Sequence, residues 1–319
     1  MNYIVMDLEW NQCPDGKEYA NEKLPFEIIE IGAVKLNQNK EIVGRFHEII
    51  RPQVYKWIHA KTREVVHLNY RNLANGKSFS AAVQDFLVWC GEDYRFCTWG
   101  TQDLLELQKN MRYYQILESL PGPIRYYDIQ KLFSIAYEDR SSRRTLEYAI
   151  EYLNIEKKYK FHRAQSDAYY TAEVLQKIED PEVYCYDSID VYQNPKGKKQ
   201  EIHIKYPTYD KFISREFSSK EKAIRDREVN STRCPVCAVA AKRKIRWFTT
   251  NSKQYYSVSL CQSHGLVKGK IRMKKTENDT FYVIKTIKLI DTADAKKIQE
   301  KQESLRIRRQ LRRKRSKEK

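Results

Sequence analysis

The eight residues Tyr3–Trp10, YIVMDLEW, constrain this chain more than any other stretch. The apolar start reads as a buried strand, and the strand ends in two acids. Side chains alternate along a strand, so Asp7 and Glu9 project from one face while Leu8 projects from the other. Two carboxylates held side by side repel each other, and each resists ionisation. A strand that keeps such a pair at its end is a candidate seat for a divalent cation. Taken alone, however, D-x-E is a common solvated pair.

The elements that follow define the fold class. FEIIEIGAVKL (26–36) and EIVGRFHEII (41–50) read as two further strands joined by a turn at Asn37–Lys40. Residues 78–91 carry apolar spacing of helical period, begin after a Ser and stop at a Gly. A short strand at 94–99, a helix from about Thr101 to Leu117 and a fifth strand at Ile124–Tyr127 come next. Helical stretches follow near 129–137, 145–153 and 164–178. Three strands, then strands alternating with helices, predict an α/β unit: a mixed five-stranded sheet flanked by helices.

Charge divides the chain unevenly. The formal net charge is +17 over 319 residues, yet residues 1–180 sum to −2 and residues 230–319 to +18. A near-neutral unit joined to a very basic one suggests a folding unit tethered to something that meets polyanions. The expected organisation is a first domain over 1–180, a linker or docking segment over 181–229 where periodicity is lost, and a β-rich domain over 230–290. The tail at 291–319 is expected to be a basic helix or disordered. No apolar run reaches the ~18–20 residues of a membrane span. The N-terminus has no basic segment of the signal-peptide kind. Cys13, Cys90, Cys97 and Cys185 are scattered singly, which fits free thiols in a reducing cytoplasm.

Two more acidic elements complete the first domain. In TWGTQDLLEL, Asp103 follows a strand and a Trp99-Gly100 turn and enters the first turn of a helix, where the dipole alone would favour it. In FHRAQSDAYYTAEVL, His162 and Asp167 are five apart, about 140° away from each other on one regular helix. For both to face one site, His162 must lie before the helix or in its frayed first turn.

The order D-x-E, then W-G-x-x-D, then H-x4-D resembles the three motifs of the DEDDh (DnaQ-like) 3′→5′ exonucleases, whose fold is ribonuclease-H-like. The resemblance covers roughly residues 1–180. It extends to EIIEIGAVKL, YYDIQKLF and the RTLEYAIEYLNI helix before His162. PQVYKWIHAKTREVVHL and WGTQDLLEL resemble the RNA-directed branch, which includes histone-mRNA exonucleases and bacterial KapD-like proteins. The resemblance implies two Mg²⁺ or Mn²⁺ ions per active site, held by Asp7, Glu9, Asp103 and Asp167, with His162 as general base. Phosphodiester hydrolysis by two such ions suits hard oxygen ligands, and a His near its ordinary pKa suits proton abstraction at neutral pH.

The remaining cysteines fall in RCPVC and LCQSH. Cys234, Cys237, Cys261 and His264 form a Cys₃His set suited to one closed, structural Zn²⁺. Between the two knuckles, KIRWFTT and QYYSVSL read as a hairpin turning at Asn251-Ser252-Lys253, as in zinc ribbons. The hairpin also carries Lys242, Arg243, Lys244, Arg246, Trp247, Tyr255 and Tyr256. Cations neutralise phosphates and aromatic faces stack on unpaired bases, so these seven are candidate nucleic-acid contacts. Some of the aromatics are needed for the small ribbon core. Residues 265–290 read as a second hairpin.

The expected function is a cytoplasmic, divalent-metal-dependent 3′→5′ exoribonuclease that removes nucleoside 5′-monophosphates from single-stranded RNA or RNA 3′ overhangs. Two alternatives remain open: the same chemistry on single-stranded DNA ends, and a non-catalytic nucleic-acid-binding regulator such as a sporulation-control factor. No membrane partner is expected, and protein partners are unassigned.

Overall fold

The computed structural model describes residues 1–66, 70–251 and 253–315. The end of the PQVYKWIHAKTREVVHL stretch, Ser252 of the hairpin turn and the last four residues of the tail lie outside the described residues. The chain divides into two units, Met1–Gln193 and Asn194–Lys319.

The first unit is built on a six-stranded sheet of order β3-β2-β1-β4-β5-β6. Its strands are β1 (Asn2–Gln12), β2 (Phe26–Leu36), β3 (Ile42–Ile49), β4 (Tyr94–Thr98), β5 (Ile124–Asp128) and β6 (Ser188–Asp190). Its helices are α1 (Ala60–Val66), α2 (Tyr70–Ala74), α3 (Phe79–Cys90), α4 (Gln102–Tyr113), α5 (Ile129–Tyr137), α6 (Leu146–Tyr152) and α7 (Ala164–Lys177). β1 pairs antiparallel with β2 and parallel with β4. This is the mixed α/β architecture of the ribonuclease-H-like exonuclease fold.

The sheet has six strands rather than the expected five. The sixth, β6, is three residues long and pairs antiparallel with β5. It is too short for an alternation signal, and a six-residue 3₁₀ segment (Pro181–Tyr186) leads into it. A buried Asp187 fastens this region to the sheet through Arg125 Nε at 2.7 Å.

Alternation along β1 sorts its side chains between two faces. Ile4, Met6 and Leu8 join Ile31 and Ala33 of β2 in a core shared with Phe79, Phe86, Leu104 and Leu107. Val5, Asp7 and Glu9 face the opposite way, where α7 packs on β1 and β2. Where the first face is apolar, the second carries the two acids, just past the end of the β4 pairing.

The second unit is one six-stranded antiparallel sheet, β7-β8-β12-β11-β10-β9. The strands are β7 (Ile202–Lys205), β8 (Asp210–Ile213), β9 (Lys242–Asn251), β10 (Gln254–Cys261), β11 (Gly265–Lys275) and β12 (Phe281–Leu289). Its helices are α8 (Lys220–Arg225), α9 (Arg227–Asn230) and α10 (Thr292–Arg315). Both expected hairpins are therefore parts of one sheet. Residues 194–229, read from sequence as linker, contribute two strands and two short helices to it. Among the described residues, no helix is long and apolar enough to cross a membrane.

Candidate active site and metal-ligating clusters

Asp7, Glu9 and Asp167 each present a carboxylate oxygen within 4.8 Å of the others. Asp7 sits at the middle of β1 and Glu9 two residues on, past the end of the pairing with β4. The strand runs on to Gln12 instead of ending in the two acids, and Asp167 comes from the first turn of α7. Gly32 on β2, which pairs with Asp7, lets the helix approach this closely. A Cβ there would lie 2.1 Å from the backbone carbon of Ala164 and 2.2 Å from the nitrogen of Gln165. The start of α7 therefore rests directly on the strand beside the acids. Gly32→Ala should push that helix end away by an ångström or more, and misplacement on this scale costs about 10²-fold in rate. Hydrolysis assayed beside circular dichroism checks this; near-normal activity in a folded variant would contradict the packing argument.

Asp103 enters from the other face. The β1–β4 ladder spans only Asn2–Val5 of β1. Past its end, the Leu8 N–H donates to Asp103 Oδ1 at 3.3 Å. This contact ties Asp103 to the backbone between Asp7 and Glu9. The turn that delivers Asp103 needs Gly100 in the left-handed region, at φ 97°. Asp103 is thus adjacent to the acid trio but outside its 4.8 Å grouping.

His162 sits before α7 in left-handed backbone, φ 63°, and its N–H donates to Asp167 Oδ2 at 3.0 Å. That bond folds the His162 segment against the helix it precedes, which is how residues five apart come to share one site. The imidazole is exposed, with Nε2 3.9 Å from Glu147 Oε1.

The next residue, Arg163, exposes a part of the site that motif reading missed. Glu30 is fully buried on β2, opposite Glu9 in the ladder. Arg163 donates to it through Nε at 3.1 Å and Nη2 at 2.9 Å, and His47 Nε2 lies 2.7 Å away. Burial would raise the Glu30 carboxyl, but the hydrogen bonds from His47 and Arg163 outweigh it and hold the pKa below its ordinary value. The signal was an acid inside the apolar run EIIEIG, since a charge buried in a strand needs a partner.

The other acids are shifted the opposite way. Burial pushes Glu9 up to about 8, with the charges of Asp167 and Glu30 adding to it. Burial raises Asp103 to about 7 and Asp167 to about 6. Asp7 is raised well above its ordinary value, by burial first and then by the charges of Asp103 and Glu9. Asp167 Oδ1 is buried with no hydrogen-bond partner. An all-oxygen donor set, an orphaned carboxylate oxygen and acids short of countercharge fit a hard divalent cation.

In the second unit, Cys234, Cys237, Cys261 and His264 form a similar grouping with softer ligands. Cys234 Sγ and Cys261 Sγ each lie 3.6 Å from His264 Nδ1, and Cys237 Sγ lies 3.7 Å from Cys261 Sγ. Four ligands at zinc bond lengths of about 2.0–2.3 Å on a tetrahedron would be about 3.5–3.8 Å apart. The first knuckle is closed by Cys234 N–H to Val239 O and Ala238 N–H to Cys234 O, both 2.9 Å. The hydrogen bond with His264 lowers the Cys261 thiol to about 6, favouring the thiolate a metal needs.

The expected aromatic contacts for nucleic acid need correction. Trp247 and Tyr255 pack against the cluster of Phe212, Ile271, Met273 and Val283, and Trp247 Nε1 donates to Asn230 O at 2.9 Å. Tyr256 is buried and packs with Val258 and Ile298. Tyr256 therefore belongs to the core, whereas Trp247 and Tyr255 are half-buried, each with part of its ring packed inward. Lys242, Arg243, Lys244 and Arg246 are exposed, although Arg243 Nη2 donates to Asn230 Oδ1 at 2.9 Å.

A sheet with helices on both faces, and an acidic cluster on its central strand just past the parallel pairing, defines a nuclease-type α/β enzyme. The profile of the RNase T exonuclease family matches residues 4–175, more than half of the chain, and this protein belongs to that exonuclease family. Among solved structures, the nuclease domain of 3′hExo, a DEDDh family member bound to rAMP, is similar at 18% identity and a TM-score of 0.50. The match covers 59% of this chain and 96% of that one. A full-length 3′-exonuclease matches at 18% identity and a TM-score of 0.47, over 55% of this chain and 80% of that one. E. coli exonuclease I with an oligonucleotide matches at 13% identity and a TM-score of 0.44, over 81% of this chain and 54% of that one. At 18% identity the likeness to the 3′hExo nuclease domain is one of fold. No curated protein sequence matches the chain.

Proposed function

We propose that this protein is a divalent-metal-dependent 3′→5′ exoribonuclease of the RNA-directed DEDDh branch, releasing nucleoside 5′-monophosphates from single-stranded RNA or 3′ overhangs. One observation carries the reading: three carboxylates converge within 4.8 Å beside a fourth, all raised above their ordinary pKa values by burial and by neighbouring acidic charge. Asp7, Glu9, Asp103 and Asp167 would hold Mg²⁺ or Mn²⁺. Two such ions supply activation of the attacking water and neutralisation of the leaving 3′-oxygen.

The chain's own residues do the rest. His162 takes the proton of the attacking water on its exposed imidazole, whose Nε2 lies 3.9 Å from Glu147 Oε1. Glu30 and Arg163 fix the segment carrying His162 against β2, so that the base keeps its place while substrate binds. In the second unit, Cys234, Cys237, Cys261 and His264 would hold one structural Zn²⁺. The basic residues there supply the field that gathers a polyanion. Four dispersed free cysteines support a cytoplasmic setting.

The test uses 5′-labelled single-stranded RNA and DNA of one sequence, each incubated with the protein and Mg²⁺. The expected result is a ladder shortening from the 3′ end of RNA. A ladder from DNA alone overturns the substrate, and no ladder from either overturns the enzyme.

A further inference from the structure

In the second unit, the helix α10 lies across β9, β10 and β11. Its seat is Ile298, buried against Tyr256 and Val258. Beyond that seat a groove of about 880 Å³ opens between helix and sheet. The sheet wall is apolar, made by Ile245, Phe248, Val258 and Leu266. The helix wall is mostly polar: Lys296, Gln299, Gln302, Arg306 and Arg309 line it, three or four residues apart, beside Ala295 and Leu305.

A helix ordinarily turns an unbroken apolar stripe to an apolar sheet. Here Ala295, Ile298 and Leu305 face the sheet with cations and glutamines between them, while Ile307 and Leu311 are 55% and 52% exposed. Lys244 adds a fourth cation from the sheet side, against one acid, Glu303, in the lining. None of Lys244, Lys296, Arg306 and Arg309 makes an ion pair among the described residues; Arg309 Nη2 donates to Thr249 O at 3.3 Å. From Lys296 to Arg309 the helix runs about 20 Å at ~1.5 Å per residue, room for several phosphates. An occupant that matches both walls must be anionic along one edge and flat and apolar along the other.

We propose that this groove is a docking track for single-stranded RNA, with phosphates on Lys244, Lys296, Arg306 and Arg309 and bases laid against Phe248 and the apolar floor. Glutamine amides spaced between the cations offer partners for ribose hydroxyls, which selects RNA over DNA. The choice of RNA rests on the exoribonuclease reading; the groove itself does not. Phe248, half-buried against the Tyr256 cluster, is the aromatic residue that lines the track.

The experiment measures fluorescence anisotropy of a 12-nucleotide single-stranded RNA, and its deoxy counterpart, with the full chain and no Mg²⁺. Arg306→Glu/Arg309→Glu should weaken RNA binding at least tenfold and reduce the salt slope by about 1.4, at ~0.7 per single-strand phosphate contact. Phe248→Leu, which keeps an apolar side chain but removes the ring, should weaken it about five- to tenfold. Lys198→Glu/Lys199→Glu changes exposed residues away from the groove by the same total charge, and should change affinity less than twofold. An equal loss in both charge-reversed pairs overturns the track, because diffuse attraction would then suffice. Deoxy binding as tight as ribo binding overturns the assignment to RNA. The wild-type hydrolysis ladder is read separately: a ladder without groove-dependent binding removes the track alone, whereas its absence removes the exoribonuclease reading whatever the groove binds.

Discussion

Asp7→Asn should abolish hydrolysis, by at least about 10³-fold, while making the Mg²⁺-free fold more stable near neutral pH. The activity loss follows from removing a carboxylate from the centre of the donor set, where several kcal/mol of charge stabilisation at the reacting phosphate depend on it. The stability gain follows from linkage. Glu9 at about 8, Asp103 at about 7 and Asp167 at about 6 all titrate above the ~4 expected of an unfolded carboxyl. Between those values the folded state binds more protons than the unfolded one, so stability falls as pH rises from ~4 through each folded pKa. At pH 8 the metal-free wild type carries most of that penalty, and a divalent cation relieves it. Melting curves from pH 5 to 8.5 with Mg²⁺ omitted should show the first unit of the wild type losing stability with rising pH. Asp7→Asn should show a shallower decline, and Mg²⁺ should restore the wild type far more than the variant. A wild type insensitive to pH and Mg²⁺ over this range would mean that the acids are not short of charge.

Much of the first unit was legible because its signals are local. The strand YIVMDLEW, the helix that starts after Ser78 and stops at Gly91, and the entry of Asp103 into α4 are written in neighbouring residues. The Ser78 hydroxyl, for example, accepts from Ala81 N–H at the start of α3. What escaped was written across the sheet. Glu30 reads as one letter of an apolar run until register sets it opposite Glu9 and Arg163 reaches it from α7. Gly32 likewise reads as a small residue in a strand, and only the packing of α7 shows why a side chain is excluded. β6 has three residues, too few to carry a pattern. The aromatic residues of β9 and β10 failed for a different reason. A basic, aromatic hairpin suggests an open surface, but α10 covers one face of β10 and the cluster containing Phe212 and Met273 covers the other. Composition marks a basic, aromatic hairpin, and only packing shows that Tyr256 belongs to its core.

Cys234→Ser should remove bound zinc and unfold much of the second unit while leaving the first intact. Cys234 is fully buried and packs with Cys261, Val267 and Ile287, so the metal-ligating corner is continuous with the apolar interior. The first knuckle leads directly into β9, and the second joins β10 to β11. Losing the ion therefore frees both connections at that end of three neighbouring strands. Structural zinc in small domains is worth about 10–16 kcal/mol of apparent folding free energy. Here the clusters around Val283 and Val258 would retain part of the sheet, so the expected loss is smaller. Even about 4–5 kcal/mol would lower the melting transition of a unit this size by roughly 20 °C. Elemental analysis should find one zinc per wild-type chain and none in the variant. Limited proteolysis should then cut the variant between Thr232 and Gly265, with the α/β unit surviving as a protected fragment. One zinc lost without new cleavage or a lower transition would make the ion a passenger, and no zinc in the wild type would leave three thiols and an imidazole grouped for some other reason. The mutation also separates the two halves of the functional argument. A variant that still shortens a di- or trinucleotide but binds a 12-nucleotide RNA poorly would place the chemistry in the acidic unit and the hold on substrate in the basic one.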